Sequence, residues 1–280
     1  MTQLAHRVTS LLFLAALTLV LAVAPLFAAN RDRIEAFLTT TGFDVALESI
    51  TLSSRSAPEM LGIDPDGFGS DWARLTDEVF DVDAMHETAV SILEETLTDK
   101  ALAHAVEFYA SDLGQRLVAV ENDSHMNEDD EAKQLEGQQI ISDLIKDGSQ
   151  RVESFKRMNA AIDSTGTALR AWQEIQLRFL LAASASGVIE LQTDAEGLRE
   201  LLKRNEPAMR QSLQLSSLAG AAYTYQDFSD EDVNAYVEAL EQPLMQEVYE
   251  LLNVIQFEIM ARRFEVLAAR MADLHPAQDI

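Results

Sequence analysis

Apolar residues recur every three or four positions along almost the whole sequence, which is the spacing of one buried face of an α-helix. Within residues 84–97, for example, Met85, Ala89 and Leu93 fall on a single face. The alternation of apolar and polar residues that is typical of strands is nearly absent. The pattern therefore predicts an all-α fold of antiparallel helical hairpins, with about nine to eleven helices.

Several helix starts are recognisable from capping residues. Thr98 and Ser229 each supply a hydroxyl group followed by an acid, so that the side chain can accept from a free backbone N–H while the acid lies near the positive end of the helix. Pro243 suits the first position of a helix, where its missing N–H costs nothing. Ser149 and Thr193 are two further predicted caps.

Residues 98–122 and 229–253 resemble each other when the first segment is shifted by 131 positions. Each copy predicts a short helix, a tight corner and a second helix packed back on the first. The sequence thus favours an internal duplication, with a first helical half over 30–122, connecting helices over 123–165 and a second half over 166–280. The identical positions in the first copy are Asp99, Val106, Glu107, Leu113, Gln115 and Asn122.

The first 29 residues have the three parts of a secretory signal peptide. Arg7 stands near the start, residues 8–29 carry no charge, and the small pair Ala28-Ala29 suits a cleavage site. This pattern predicts export to the periplasm. An uncleaved inner-membrane anchor is the alternative, since the uncharged run reaches the length of roughly 20 residues that crosses a bilayer.

The charge of the chain limits its partners. The 280 residues contain 47 acids against 21 bases, and loss of residues 1–29 leaves 20 bases and a formal charge of −27. Nucleic acid and anionic membrane surfaces would both be repelled. The sequence has no cysteine, which excludes disulfides, thiolate chemistry and a lipoprotein anchor. We interpret the acids as the solvated outer faces of the helices.

One motif resembles a known family. An aromatic pair, a serine and a Gly-Gln pair stand at a predicted helix-to-helix corner, at Phe108, Tyr109, Ser111, Gly114 and Gln115. Over residues 77–122 the chain resembles the exported bacterial family catalogued as domain of unknown function 2059, and 229–253 carries a degraded copy. The resemblance implies an all-helical secreted or periplasmic protein. It implies no established activity, cofactor or catalytic residue.

A structural role explains this corner motif without chemistry. Ser111 is expected to cap the second helix, and Gly114 in the first turn would let neighbouring backbone approach closely. Phe108 and Tyr109 would anchor the corner in the core. Gln115 completes the motif. A ligand-binding or catalytic corner is the alternative.

No pattern in the sequence predicts a metal site, a cofactor or a catalytic residue. His86 stands next to Glu87, and His104 and Glu107 share a helical face, but the zinc-peptidase spacing of two histidines is absent. Asp64 and Asp66 resemble the start of a calcium loop, yet its twelfth position is Leu75 instead of a glutamate. The usual serine-nucleophile motifs are missing as well.

Three functions remain open at this stage. We favour a non-enzymatic envelope protein that contacts another envelope protein as an adaptor or chaperone-like factor, which an exposed apolar patch would support. A carrier of an apolar ligand such as a lipid would need a cavity. An exported hydrolase with a non-standard site would need converging histidine, serine and carboxylate side chains. The sequence indicates no oligomeric state.

The corner motif gives a first prediction. Replacing Gly114 with leucine should lower the melting temperature, because a side chain there would separate the two helices of the corner. Thermal unfolding followed by circular dichroism measures the effect. An unchanged melting temperature would show that no close approach depends on this glycine.

Overall fold

The computed structural model describes residues 31–63 and 70–274. Helices follow one another through both ranges, and neither range contains a β-strand. The all-α fold predicted from the spacing of apolar residues is therefore confirmed. The predicted signal peptide, and Asp64 and Asp66 of the calcium-like loop, lie outside the described residues.

The described ranges contain twelve α-helices, which are numbered in chain order. Residues 31–41 form α1, and a short 3-10 helix at Ala57–Leu61 separates α2 from α3. The others are α2 (Phe43–Ser54), α3 (Ser70–Val79), α4 (Val82–Thr96), α5 (Asp99–Tyr109), α6 (Asp112–His125), α7 (Asp130–Lys146), α8 (Arg151–Ile162), α9 (Thr167–Ala185), α10 (Ala195–Thr224), α11 (Asp230–Leu240) and α12 (Pro243–Met271).

Helix α12 lies at the centre of the fold. Helix α9 packs along it, and α2, α3, α4, α5, α8 and α11 also contact it. Phe264 of α12 shows how tightly this core is filled, because Phe80 and Phe179 both meet its ring edge-on, with centroids 5.2 and 5.6 Å away. The same core includes Phe37 and Phe155. The predicted first half, the connecting helices and the predicted second half therefore all contribute side chains to one core.

A second group of helices covers one side of this core. Helix α10 packs against α7, α8 and α9, and α11 packs against α8. Helices α7 and α10 meet backbone to backbone at Gly137, where a Cβ atom would lie only 2.0 Å from the carbonyl oxygen of Ala219. This contact is closer than any side chain larger than hydrogen allows.

The two predicted hairpins have equivalent bounds. Helices α5 and α11 begin at residues 99 and 230, and α6 and α12 begin at 112 and 243, so both pairs keep the shift of 131 positions. The hydroxyl group of Thr98 accepts from the N–H of Ala101 at 3.2 Å, and that of Ser229 from the N–H of Asp232 at 3.1 Å. These two predicted caps and the first-turn position of Pro243 are correct.

The other two predicted caps are displaced. Helix α10 is capped by Asp194, whose carboxylate accepts from the N–H of Gly197 at 2.9 Å. A carboxylate is a stronger acceptor than the hydroxyl of Thr193 beside the positive end of a helix. Helix α8 starts after Gln150, although the hydroxyl of Ser149 still accepts from the N–H of Arg151 at 3.2 Å.

None of the helices in the described ranges has both the length and the apolar character needed to span a bilayer. This finding concerns residues 31–63 and 70–274 and leaves the N-terminal segment untested.

The α7–α10 contact generates a second prediction with a matched control. Gly137→Ala should lower the free energy of unfolding by about 1–3 kcal/mol, because its Cβ must push the backbone of α10 away. Gly220→Ala, on the partner helix, adds a methyl group with no atom within 4 Å. It should instead stabilise the protein by about 0.5–1 kcal/mol through helix propensity. Urea unfolding of both variants checks the pair, and equal effects would refute the close contact.

Candidate functional site

A glutamate lies among tyrosines where the two hairpins meet. Glu121 belongs to α6 and is partly exposed as a residue, but its carboxyl group is enclosed by neighbouring side chains. Its Oε1 atom accepts from the hydroxyl of Tyr225 at 2.6 Å and from that of Tyr236 at 2.9 Å. Within the described part of the chain, no group donates to Oε2 and no basic side chain pairs with the carboxylate.

Three tyrosine hydroxyls form a triangle next to this carboxylate. Tyr109 comes from α5, Tyr236 from α11 and Tyr249 from α12. The Tyr109 and Tyr236 oxygens are 3.1 Å apart, those of Tyr236 and Tyr249 are 2.9 Å apart, and Tyr109 also hydrogen-bonds to Tyr249. The triangle links both hairpins through polar atoms inside the core.

Burial controls the protonation of this cluster. Removal from solvent raises the pKa of the Glu121 carboxyl group, and the two tyrosine donors only partly oppose the shift. Burial likewise raises the pKa of Tyr109, Tyr236 and Tyr249. The tyrosines therefore keep their protons at neutral pH, and the carboxylate is held in an environment that favours its neutral form.

The number of protons in the cluster points the same way. Each tyrosine has one proton to donate, and Tyr236 donates its proton to Glu121. The three contacts of the triangle must then share the protons of Tyr109 and Tyr249, so one contact has no proton. A neutral Glu121 would instead donate to Tyr236 and complete the triangle. Neutral Glu121 thus satisfies more hydrogen bonds than ionised Glu121.

A cavity of about 280 Å³, which we call the Glu121 cavity, opens beside this cluster. Glu121, the three tyrosines of the triangle and Tyr225 line its polar side. Its apolar wall is formed by Phe43, Ala46, Ile162, Val248 and Leu252. His125 also lines the cavity; it is exposed as a residue, although its imidazole ring is largely enclosed, and it places an opening at the C-terminal end of α6.

Asn122 is a second polar group with incomplete bonding at this cavity. Its buried Oδ1 atom has no hydrogen-bond partner among the residues that the structure describes. The backbone of Gly42, in the left-handed region at φ +72°, lies so close that a Cβ there would be 2.5 Å from Oδ1. The equivalent residue of the second hairpin, Asn253, donates to the carbonyl oxygen of Ile162 at 2.9 Å.

A groove of about 620 Å³ runs between α8, α9, α10 and α12 and shares Ile162 and Asn253 with the Glu121 cavity. Its two cations are already paired on their own helices. Arg210 binds Glu206 at 2.7 Å, and Lys156 lies 3.4 Å from a carboxylate oxygen of α8. Of the buried side-chain oxygens that lack a hydrogen-bond partner in the described structure, that of Asn122 lines the cavity and none lines the groove.

The predicted motif residues form a tight corner between α5 and α6. Ser111 caps α6 by accepting from the N–H of Gly114 at 3.1 Å, and its hydroxyl donates to the carbonyl oxygen of Phe108 at 2.6 Å. A Cβ atom at Gly114 would lie 2.3 Å from that same carbonyl oxygen. The side chain of Gln115 donates to the carbonyl oxygen of Ala110 at 2.8 Å.

The aromatic pair of the motif connects the corner to the cavity. Tyr109 is buried, with its hydroxyl in the triangle, and Phe108 stacks on the ring of Tyr236 at 5.8 Å between centroids. The corner therefore fixes the position of a cavity residue, while Ser111, Gly114 and Gln115 do not line the cavity themselves.

The residues considered for metal binding do not come together. In the described ranges there is no group of three or more histidine or acidic side chains that could hold a metal ion. Glu87, next to His86, forms two hydrogen bonds with the guanidinium group of Arg31 across α1 and α4.

Sequence reasoning missed Glu121, Tyr236 and Tyr249. Glu121 follows Leu117 by one helical turn, so an acid on the apolar face of α6 was the available signal. Tyr225 is a buried core aromatic whose hydroxyl also bonds to the carboxylate. The bonded partners are more than 100 residues apart, which no local spacing reveals.

Comparison with known proteins supports the resemblance that the corner motif suggested. The sequence model of the family described as "Uncharacterized protein conserved in bacteria (DUF2059)" matches residues 83–143. The matched segment contains the whole α5–α6 corner, Glu121 and Asn122, and it ends before the second hairpin. No curated protein and no solved structure matches the chain.

The raised pKa of Glu121 generates a third prediction. A carboxyl group with a raised folded-state pKa stabilises the fold at low pH, and this contribution is lost as the pH rises through that pKa. Glu121→Gln removes the dependence while preserving the shape of the side chain. From pH 5 to pH 8, the unfolding free energy of the variant should rise relative to that of the wild type, because only the wild type loses this contribution.

Urea unfolding at both pH values measures this difference. Burial and Lys133 also lower the pKa of His125. Because His125 is the same in the wild type and the variant, its contribution to the pH dependence cancels in the difference between them. If the unfolding free energy of the variant minus that of the wild type stays constant or falls from pH 5 to pH 8, the carboxyl group of Glu121 does not have a raised pKa in the folded protein.

Proposed function

We propose that the protein is a non-enzymatic carrier in the bacterial envelope that binds a small ligand with an apolar body in the Glu121 cavity. The observation that supports it is a cavity of about 280 Å³ with one apolar wall and one polar wall, on which the buried Oδ1 atom of Asn122 has no hydrogen-bond partner among the described residues. Ligand pockets usually measure about 300–1,000 Å³, so this one suits a small molecule.

The bonding at the cavity favours a carrier over a hydrolase. A catalytic triad needs a histidine between a carboxylate and a nucleophilic hydroxyl group. Here Glu121 bonds to tyrosines, and the hydroxyl of Thr41, which lines the cavity, donates to the carbonyl oxygen of Phe37 at 2.9 Å. Neither group is bonded to His125 in the described structure.

The adaptor function stays a prediction. Exposed apolar side chains do occur on the outer helices, with Leu135 and Ile145 on α7 exposed by 60% and 62% and Leu215 on α10 by 56%. Leu135 and Ile145 are roughly 15 Å apart along the helix. Single exposed residues of this kind are normal on soluble proteins and define no particular partner.

Export is a separate part of the proposal and rests on residues 1–29. A signal peptide that is cleaved would release the carrier into the periplasm, and an uncleaved one would tether it to the inner membrane. Cell fractionation with intact-mass measurement separates these forms. Recovery of the full-length chain from the cytoplasmic fraction would overturn the export proposal.

A cavity-filling variant tests the carrier function. The uncharged fluorophore N-phenylnaphthylamine should bind the wild type with increased emission, because the Glu121 cavity removes it from water. Ala46 lines the cavity, so Ala46→Phe should abolish this signal. Ala73 is exposed on α3, and Ala73→Phe is the matched control that should bind normally.

Circular dichroism confirms that both variants remain folded. Absence of fluorophore binding to the wild type, or equal binding to the two folded variants, would contradict a carrier function of this cavity.

A further inference from the structure

The Glu121 cavity contains an acid without a counter-charge. No lysine or arginine lines the cavity, and Glu121 forms no ion pair with any described residue. His125 at the opening is the basic residue of the lining, and burial and Lys133 lower its pKa. A charge inside a protein is normally paired, because an isolated one loses its hydration. An ionised Glu121 therefore lacks the cation that this environment requires.

Two acceptor oxygens on the polar side of the cavity have no donor among the described residues. The protons of Tyr225 and Tyr236 are committed to Oε1 of Glu121, which leaves Oε2 without a donor. The triangle lacks a proton when Glu121 is ionised, and Oδ1 of Asn122 has no donor among the described residues. A ligand that complements this wall must bring N–H or O–H groups and not further acceptors.

Positive charge and several donors occur together in a protonated amine. We propose that the Glu121 cavity binds a small primary amine, whose ammonium group pairs with Oε2 of Glu121 and whose apolar body contacts the wall formed by Ala46, Val248 and Leu252. The inference rests on the carrier function proposed above and names the class of its ligand. Bonds between an ammonium and a carboxylate are among the strongest hydrogen bonds in proteins.

Two further features fit this ligand class. When Glu121 is ionised, the hydroxyl groups of the triangle are one proton short, so they can accept from an ammonium group but have no spare proton to donate to an anionic ligand. The mature chain carries a formal charge of −27, which attracts cations and repels anionic amphiphiles such as fatty acids. Both features act against a carboxylate ligand of similar size.

Binding of the amine is coupled to a proton. The empty cavity favours neutral Glu121, whereas the ammonium requires the ionised form. The incoming R–NH3+ therefore pairs with the carboxylate, and the carboxyl proton leaves to the solvent, so charge and atoms balance. Affinity should rise with pH as Glu121 ionises and should level off once it is fully ionised. His125 and the four tyrosines are the other titratable groups that face this site.

Three probes of nearly equal size and shape test the proposal at neutral pH. Benzylamine is a cation, benzyl alcohol is neutral and benzoate is an anion. Each is titrated against the protein with bound N-phenylnaphthylamine, and the loss of fluorescence measures displacement. We expect benzylamine to bind at least about tenfold more tightly than benzyl alcohol, and benzoate to bind most weakly.

Two variants that each remove one acid identify the residue responsible. Glu121→Gln should retain the fluorophore but lose the preference for benzylamine over benzyl alcohol. Glu107→Gln, at an exposed position of α5, removes the same charge outside the cavity and should keep the preference. Calorimetry of benzylamine in buffers of different ionisation enthalpy should show proton release that decreases as the pH rises with the wild type, and no release at any pH with Glu121→Gln.

The outcomes separate this inference from the carrier function. If the fluorophore binds but benzyl alcohol or benzoate competes as well as benzylamine, the amine proposal is wrong and the carrier function stands. An undiminished preference in Glu121→Gln would likewise overturn it. If the fluorophore fails to bind the wild type, the carrier function itself fails.

Discussion

The burial of α12 on several sides is the constraint on which the rest of the structure depends. A helix that contacts seven others must be apolar around much of its circumference, as its buried residues from Met245 to Met271 are. The neighbouring helices then pack at positions that α12 sets. Near its N-terminal end, α12 is also the second arm of a hairpin, and it meets the α5–α6 hairpin there through Tyr249. The Glu121 cavity lies at this junction, where two hairpins with equivalent bounds carry different side chains.

The difference between the hairpins explains the asymmetry of the cavity. Gly114 at the first corner lets α6 start directly against the end of α5, whereas its equivalent in the second hairpin is Met245, which is fully buried. Likewise, Glu121 is equivalent to Leu252, so the same helical position supplies the carboxylate on one side and part of the apolar wall on the other. A duplicated helical unit would thus acquire a two-faced cavity through substitutions at a few positions.

The sequence predicts the frame of this structure better than its interior chemistry. Thr98, Ser229 and Pro243 mark helix starts because caps act through the nearest backbone groups, which adjacent residues determine. Thr193 fails as a cap because its neighbour Asp194 competes for the same backbone groups. Tyr109 was predicted as a core anchor from its helical face alone. Its hydroxyl partners lie in α11 and α12, and periodicity shows which side of a helix is buried but not which distant side chains meet it.

Glutamates in this protein have opposite environments that composition does not distinguish. Glu78 and Glu87 lie on the surface beside arginines, and those guanidinium groups lower the pKa of each carboxyl group. Glu121 lies among tyrosines, and burial raises its pKa. A polar network of this kind adds little stability, because apolar side chains of similar volume fill a core at least as well. Stability alone therefore does not account for the network, whereas the binding role that we propose would. The negative charge of the surface would attract a cation to the opening beside His125. Glu121 would then ionise when that cation enters the cavity.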